Sequence, residues 1–485
     1  MHRGGMVGVG GLAGARRWQT LTPTLSRVRE REEVYSAVWS ASCSRRTLTL
    51  PSPGVPGEGE EEGELDGVKD SRGRLRSSDN RGSMEDSIYS LRHRDILALC
   101  VLGLLCVGVV MVQSASMQVT NSVHWQWTAK ATKHVLFAAC GLAGFFVVGN
   151  FRYFDLARRA KVMLIHPVAI AFAVACVACG LVLIPGVGVS VNGARRWIPL
   201  GPMQVQASEL GKWGTVLFLA WWLSARPVNM DRFRNFFLTL IPVGFICLLI
   251  VIEDFGTAAL IGICSFAMLL VGRVKLWHLL VVLPPALLAA FVFVHHEPYR
   301  WRRMTAFLDP WATSQKEGYH MIQSLLSFST GGITGRGIGN GIQKLGYLPE
   351  DTTDFIFAVI CEELGLFGAL LTAAFYLGIV FVAWQVVRKD RDDFGRLLAF
   401  GVATMIGLQA AINMAVATVS VPTKGMSLPL ISAGGSGLII TCAALGLLYS
   451  VMKHDPAHQP APTVEEEPDL LFVDPPAPTV EPDLE

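Results

Sequence analysis

The sequence has few charged residues for its length. Only 16% of its 485 residues are Asp, Glu, Lys or Arg, and 51% are hydrophobic, whereas about 25% of residues in soluble globular domains are charged. The mean hydropathy of +0.43 agrees with that deficit. The composition therefore favours an integral membrane protein. The net charge is +2, and the basic residues lie at the ends of apolar runs instead of along a stripe, so nucleic-acid binding is not indicated.

Several familiar sequence signals are also missing. No apolar signal-peptide core opens the chain. Residues 335–341 have glycines at alternate positions, but not in the Gly-x-Gly-x-x-Gly order of dinucleotide-binding folds, so they indicate a loop. No spacing of His, Cys, Asp or Glu indicates a metal site. Nearly all of the ten cysteines lie in or beside apolar runs, which is typical of packing residues rather than of a redox pair.

The two ends of the chain lack any sustained apolar period. Residues 1–90 predict a disordered extension, or translated upstream DNA that precedes a true start at Met84. Residues 454–485 are Pro-rich, acidic and repetitive, and they predict a disordered cytoplasmic tail. The remaining residues, 91–453, predict one membrane domain.

Ten apolar runs fill this domain, and about 20 apolar residues span a bilayer as a helix. We expect an all-α polytopic membrane protein with about ten transmembrane helices. Basic residues at alternate ends of the runs place both termini in the cytoplasm and a large external loop, 296–350, between the seventh and eighth helices. The runs are 95–114, 133–149, 161–185, 209–225, 235–252, 256–272, 276–295, 361–387, 396–418 and 429–452.

Two of the external segments are nevertheless basic. Long loops cross the membrane regardless of charge, and this explains the loop 296–350 better than it explains the short segment 186–208, which contains Arg195 and Arg196. Basic residues on the outer face, beside a membrane cavity, would suit an anionic lipid headgroup.

The stretch LPEDTTDFIFAVICEELG (348–365) places acids beside an apolar run. Two interpretations of Glu350, Asp351 and Asp354 remain open. They could stabilise the start of a helix, with Thr352 or Thr353 as its N-cap. Alternatively, Asp354 lies closest to the hydrocarbon and is a candidate general base.

The second pair of acids in this stretch, Glu362 and Glu363, follows two turns later. Consecutive residues on a helix point about 100° apart, so at least one of the two must face the bundle interior or extend to the interface. We predict that these two residues have a structural role, in which they pair with other groups of the protein.

Further polar residues lie at the outer ends of other predicted helices. Glu209 and Lys212 open one helix in QASELGK, and EDFGTA (253–258) forms a helix junction. Lys424 and Ser432 lie in a Pro/Gly-broken segment, VPTKGMSLPLISAGGSG (421–437). Together these segments predict one site at the outer leaflet.

These motifs resemble the SEDS family, the FtsW/RodA polytopic proteins, over about residues 90–452. The motifs are NGARRWIPLGP (192–202), Q-x-SEL-x-K (206–212), FLDPWA (307–312), GYHMIQSL (318–325), LPE-x-x-TDFIFAVI-x-EELG (348–365) and PTKG-x-x-LPLIS-x-GGS (422–436). The resemblance implies a ten-helix peptidoglycan glycosyltransferase that polymerises lipid II at the outer face of the cytoplasmic membrane. PTKG and QKLGYLPE look more like the division branch than the elongation branch, which implies septal cell-wall synthesis.

The resemblance also assigns site residues. It implies that Asp354 is catalytic and that the substrate-binding residues are Arg195, Arg196, Lys424, Glu350, Glu209, Lys212 and Ser432. No cofactor or protein metal site is expected, although Mg²⁺ or Mn²⁺ could accompany the substrate. This chain departs from the family pattern at Ile252, Ala207, Thr352, Ala433 and Gly437.

The resemblance implies particular partners and a location. The expected partners are lipid II, a class B penicillin-binding transpeptidase and other divisome membrane proteins, in the cytoplasmic membrane and at the division septum. Three alternatives remain: a lipid II flippase, a non-catalytic divisome scaffold and an elongation polymerase.

Overall fold

The computed structural model describes residues 92–117, 127–158, 166–191, 194–201, 203–225, 230–388 and 392–454. All of them belong to one unit, Met84–Glu485. The predicted N-terminal extension and all but the first residue of the predicted C-terminal tail lie outside the described residues.

Helices make up most of this unit. In chain order they are α1 His93–Ala115, α2 Ala129–Asn150, α3 Tyr153–Arg158, α4 Pro167–Leu183, α5 Ala207–Ser224, α6 Phe233–Val251, α7 Phe255–Val271, α8 Leu276–His296, α9 Pro298–Leu308, α10 Tyr319–Gly331, α11 Ile356–Arg388, α12 Asp393–Ala417 and α13 Ser436–Lys453. A single 3₁₀ turn, Trp311–Thr313, follows α9.

Each of the ten predicted apolar runs coincides with one of these helices. Seven are long and apolar enough to cross a membrane: α1, α2, α6, α8, α11, α12 and α13. Helices α4 and α7 are apolar but shorter. Helix α5 spans 18 residues and includes the charged residues Glu209 and Lys212. The structure therefore confirms a polytopic helical membrane protein, whereas the number of crossings and their orientation remain predictions.

A small sheet makes the fold less than purely α-helical. Strands β1 Val189–Val191, β2 Ala194–Leu200 and β3 Met203–Gln206 pair antiparallel in the order β1-β2-β3. In the register, Val189 lies opposite Trp197, which lies opposite Gln206 on the other side. The three short strands between α4 and α5 satisfy their backbone groups with each other and are a local addition to the predicted helical architecture.

The bundle is arranged around α11, α12 and α13. Helix α11 packs against α12, α1 and α10, while α13 packs mainly against α2. Helix α12 also contacts α5 and α7. Large apolar side chains point away from these contacts; Leu248, for example, is 61% exposed. An apolar outer surface of this kind suits contact with lipid tails. Helix α8 is the most peripheral span, with only His278 and Leu279 buried.

Helix α11 is interrupted at Gly365, where φ is 65° and ψ is −155°. The glycine-rich segment, residues 335–341, packs across this interruption. Arg336 N–H donates to the Glu362 carbonyl at 3.0 Å, and Gly337 N–H donates to the Glu363 carbonyl at 2.9 Å. The interruption therefore leaves these two carbonyls satisfied within the protein, as non-helical backbone at membrane depth requires.

The carboxylates of Glu362 and Glu363 are fully buried. Glu363 forms an ion pair with Lys344 at 2.7 Å, and Glu362 accepts from the Ile342 N–H at 2.8 Å. The predicted structural pairing inside the bundle is confirmed for Glu363, while Glu362 is held by backbone N–H groups. The glycine-rich segment, whose sequence predicts only a loop, folds around the two carboxylates.

Candidate functional site

Asp354 lies in a turn that directly precedes α11. Because α11 begins at Ile356, no acid lies in its first helical turn. The predicted N-cap role of Thr353 is wrong: its hydroxyl donates to Glu350 Oε2 at 2.8 Å, within the turn. Glu350 itself has φ of 56°, a left-handed conformation. The helix-capping interpretation of these acids therefore fails, and the catalytic role of Asp354 stays a prediction.

Two side chains from other segments hold this turn in place. Asn413 Nδ2 on α12 donates to the Asp354 carbonyl at 2.8 Å and to the Met426 carbonyl at 2.7 Å. Ser432 Oγ donates to the Thr353 carbonyl at 2.6 Å and accepts from the Leu428 N–H at 2.8 Å. Ser432 therefore binds the turn that contains Asp354 to the broken segment before α13, and both hydrogen bonds of its hydroxyl are made with backbone groups.

Arg196 reaches the site from β2. Its Nε and Nη2 donate to the Glu253 carbonyl at 3.1 and 2.8 Å, and Nη1 lies 3.7 Å from Asp254 Oδ2. Successive residues on a strand point to opposite faces. Accordingly, Arg195 is exposed, and its backbone N–H donates to Glu253 Oε2 at 2.8 Å. The structure thus brings the guanidinium of Arg196, and not that of Arg195, to Asp354.

Gly425 marks the place where these groups converge. A Cβ at this position would lie 3.0 Å from Asp354 Oδ2 and 4.0 Å from Arg196 Nη1. The neighbouring Lys424 places Nζ 5.1 Å from the centroid of the Phe255 ring. A carboxylate and a guanidinium from separate segments therefore meet at Gly425, and the Lys424 ammonium lies over the neighbouring Phe255 ring.

The electrostatic environment sets the protonation of Asp354, which is half-buried. Burial, followed by the charge of Glu350, raises the pKa of Asp354 to about 7. Arg196 and Arg303 oppose the rise, while Asp254 adds to it. A carboxyl group with a pKa near neutrality can accept a proton and release it again at physiological pH.

Lys424 is affected by the same surroundings. Burial lowers the pKa of Lys424, and the nearby carboxylate of Asp254 opposes that change. Asp254 caps α7 by accepting from the Thr257 N–H at 3.1 Å and from the Thr257 hydroxyl at 2.8 Å. Asp254 therefore lies near both cations while it stabilises a helix start.

Glu209 and Lys212 lie deeper, on α5. Lys212 Nζ lies 2.7 Å from Glu209 Oε2 and donates to Gln409 Oε1 at 2.7 Å. Lys212 is only 1% exposed. Gln409 in turn donates to the Ser427 carbonyl at 2.8 Å. Glu209 and Lys212 are thus paired inside the protein. Through Gln409 they are linked to Ser427 in the segment 421–437, and they do not line the region around Gly425.

Two residues near Asp354 have contacts that their sequence context does not indicate. Asp254 belongs to the predicted junction EDFGTA of the outer-leaflet site, but its position beside Arg196 is visible only in the fold. Arg303, on α9, acts on the pKa of Asp354 from the external loop. Its sequence neighbourhood, WRRM, contains a second arginine. No feature of that stretch distinguishes which one faces the site.

Within the part of the chain that the structure describes, no group of three or more His, Cys, Asp or Glu side chains could hold a metal ion. The region around Gly425 combines a carboxylate with a nearby guanidinium, and such a combination suits transfer reactions with an anionic leaving group.

Comparison with known proteins identifies relatives of the chain. The family model for the cell cycle proteins FtsW, RodA and SpoVE matches residues 94–456. A probable peptidoglycan glycosyltransferase FtsW of Nitrosococcus halophilus is 40% identical over 359 residues, which cover 72% of this chain and 89% of that protein. The corresponding protein of Coxiella burnetii is 35% identical over 360 residues, or 73% of this chain and 95% of the relative.

Solved structures show the same similarity. A chain from a peptidoglycan synthase complex that coordinates polymerization and crosslinking aligns with a TM-score of 0.59 and 28% identity, over 74% of this chain and 96% of that one. The rod shape determining protein RodA of Thermus thermophilus aligns with a TM-score of 0.53 and 25% identity, over 74% of this chain and 95% of RodA.

Proposed function

This chain belongs to the FtsW, RodA and SpoVE family of cell cycle proteins, and we propose that it is a peptidoglycan glycosyltransferase that polymerises lipid II. The observation that carries this proposal is the convergence of Asp354 and Arg196 on Gly425. The names of the relatives support the activity, and those named FtsW support a septal role in cell division.

In the proposed reaction, Asp354 removes the proton from the 4-hydroxyl of the acceptor GlcNAc. The hydroxyl oxygen then attacks the anomeric carbon of the growing chain. The bond from that carbon to the undecaprenyl pyrophosphate breaks, and the pyrophosphate leaves with the bonding electrons. Glycosidases need a second carboxyl group to protonate a poor leaving group. A pyrophosphate is stable as an anion, so one general base is sufficient.

The cations around Gly425 have a complementary role in this scheme. We assign Arg196 and Lys424 to the developing charge on the pyrophosphate, since donors fixed in a partly buried site stabilise such charge more than water does. Glu350 contributes by raising the pKa of Asp354. Arg195, exposed beside them, is positioned for the outer part of the same headgroup.

A divalent cation fits this site only together with its substrate. Mg²⁺ is usually bound by one or two carboxylates plus substrate phosphates. The carboxylates available beside Arg196 are those of Asp254 and Asp354. We therefore propose that any Mg²⁺ or Mn²⁺ requirement depends on the pyrophosphate.

Lipid II transport by the same bundle is the competing function. A flippase needs a polar path across the membrane, whereas the deep charges in the described bundle are paired internally, as with Lys212 and Glu209 or Lys344 and Glu363. The open polar groups lie at the ends of helices, around Gly425. This distribution favours chemistry at the rim over passage through the bundle.

The expected partner is a class B penicillin-binding transpeptidase, together with other divisome membrane proteins, in the cytoplasmic membrane at the septum. The similarity to a chain of a peptidoglycan synthase complex supports this assignment. Crosslinking needs newly made strands, so a polymerase and a transpeptidase in one complex form a consistent pair.

The direct test supplies purified protein, alone and with a candidate transpeptidase, with fluorescent lipid II in detergent. We expect glycan chains of many disaccharides and the release of undecaprenyl pyrophosphate. If lipid II is moved between the leaflets of vesicles but never polymerised, the protein is a transporter and the glycosyltransferase proposal is wrong.

A further inference from the structure

A buried ion pair encloses the segment that carries Asp354. Lys344 Nζ lies 2.7 Å from Glu363 Oε1, and the two side chains are 1% and 0% exposed. Lys344 stands ten residues before Asp354 and Glu363 nine residues after it. The pair therefore closes a loop in the chain with Asp354 at its middle.

A third side chain joins the pair from the far end of the sequence. Ser114, near the end of α1, places Oγ 2.8 and 2.7 Å from the two carboxylate oxygens of Glu363. The same oxygen accepts from Lys344 Nζ at 2.9 Å. Gly339 N–H adds a donor to Glu363 Oε2 at 3.1 Å. The Glu363 carboxylate is thus shared by α1, the glycine-rich segment and α11.

On the N-terminal side, backbone hydrogen bonds link the ion pair to the turn that contains Asp354. Leu348 is buried, and its N–H donates to the Gln343 carbonyl at 2.8 Å, one residue before Lys344. Phe355 N–H then donates to the Glu350 carbonyl at 3.2 Å. On the C-terminal side, the first part of α11 runs from Ile356 to the interruption at Gly365 and includes Glu363.

We propose that the Lys344–Glu363 ion pair, with Ser114, is a positioning device that fixes Asp354 relative to Arg196 and Glu350. The inference rests on the proposed glycosyltransferase function. The buried pair does not itself touch the substrate. It acts by holding both ends of the loop that contains the base, so that the base stays at the reacting hydroxyl.

The main test is the double variant Lys344→Met/Glu363→Gln, which removes both charges and so leaves neither one buried alone. Misplacement of a reacting group by about 1 Å can cost about 100-fold in rate. We expect kcat for lipid II polymerisation to fall about 10- to 100-fold, with KM for lipid II changed by no more than about twofold. We also expect the midpoint of the pH–rate profile to shift, since Asp354 moves relative to its charged neighbours.

The matched control is an ion pair that encloses a different loop, one that does not contain Asp354. Arg302 and Glu317, 3.2 Å apart, enclose residues 302–317 of the external loop. The double variant Arg302→Gln/Glu317→Gln should keep kcat within about twofold, because Arg302 is 61% exposed and an ion pair open to solvent contributes little. Thermal unfolding in detergent measures the folded fraction of every variant.

A milder variant, Ser114→Ala, decides the question if the double variant does not fold. It removes one hydroxyl and should lower kcat with the same unchanged KM and shifted pH midpoint. A folded variant with wild-type kcat overturns the proposal, as does a lower kcat with an unshifted midpoint. Wild-type protein that makes no glycan would refute the glycosyltransferase function instead, before any variant is compared.

Discussion

Asp351 and Asp354 are three residues apart but have different electrostatic surroundings. Burial raises the pKa of Asp351 to about 6, and the opposing charge that acts most strongly on it is that of Lys130 on α2. Asp354 instead faces Arg196, near Gly425. The more perturbed acid is thus the one placed at the cationic site, as expected of a general base.

The pKa of Asp354 predicts a specific pH dependence. The carboxylate form is the base, so polymerisation should increase with pH and level off above the pKa of about 7. Arg196→Gln removes a charge that lowers this pKa, so the midpoint should rise. Glu350→Gln removes a charge that raises it, so the midpoint should fall. Initial rates of lipid II polymerisation between about pH 5.5 and about pH 8.5 measure both shifts.

The charges of Asp254 and Arg303 also act on Asp354 and remain in both variants. Lys316→Gln, an exposed change elsewhere on the external loop, serves as the control and should leave the midpoint in place. Shifts of the same sign in Arg196→Gln and Glu350→Gln would contradict the assignment of Asp354 as the titrating base.

At the scale of the element, the interrupted helix α11 connects the turn that contains Asp354 to the helical bundle. Hydropathy alone predicts a helix here, because a run of apolar residues is visible in the sequence. The interruption at Gly365 is not predictable in this way. It is accompanied by hydrogen bonds from the Arg336 and Gly337 N–H groups to α11 carbonyls and by the pairing of Glu363 with Ser114 and Lys344. Such contacts between residues far apart in sequence leave no local pattern.

Gly365→Ala tests the importance of the interruption. Its φ of 65° and ψ of −155° belong to a region that is almost exclusive to glycine. A Cβ there would lie 2.4 Å from Gly335 N and 2.5 Å from the Ile333 carbonyl oxygen. We expect the free energy of unfolding to fall by about 3 kcal/mol or more, measured by thermal unfolding in detergent.

Gly262→Ala is the matched control, because Gly262 lies within α7 and no atom lies within 4 Å of its added Cβ. Alanine favours a helix interior by about 1 kcal/mol over glycine, so this variant should be no less stable than the wild type. Equal losses in Gly365→Ala and Gly262→Ala would show that the interruption is not specifically required.

The three-stranded sheet shows a second limit of prediction at this scale. Its strands are short and contain Arg195, Arg196 and Gln204 rather than a repeating apolar pattern. The sequence therefore indicates only an external segment. Pairing with β1 and β3 sets which arginine faces Asp254, and that geometry exists only in the folded chain.

At the scale of the whole molecule, the described residues extend from 92 to 454 and the family match from 94 to 456. The membrane domain could be predicted because about 20 apolar residues are needed for each span. The family resemblance singles out Asp354, because it lies in the TDFIF motif. That Asp354 lies in a turn before α11, and near Arg196 at Gly425, is visible only in the structure.

The arrangement of charge in the described bundle supports an enzyme whose chemistry takes place at its rim. Buried charged side chains such as Lys212 and Lys344 are paired with carboxylates inside the bundle, whereas Arg196 and Asp354 lie beside Gly425, which is exposed. Replacement of the Asp354 carboxylate alone should therefore abolish polymerisation and leave the other properties of the protein unchanged.

The most direct measurement compares lipid II polymerisation by purified Asp354→Asn and Asp351→Asn with that of the wild type, at equal folded amounts and with the same transpeptidase. The account predicts that Asp354→Asn loses at least about 100-fold in rate, while Asp351→Asn stays within about fivefold. Glycan chains made by Asp354→Asn at the wild-type rate would contradict the assignment of Asp354 as the base.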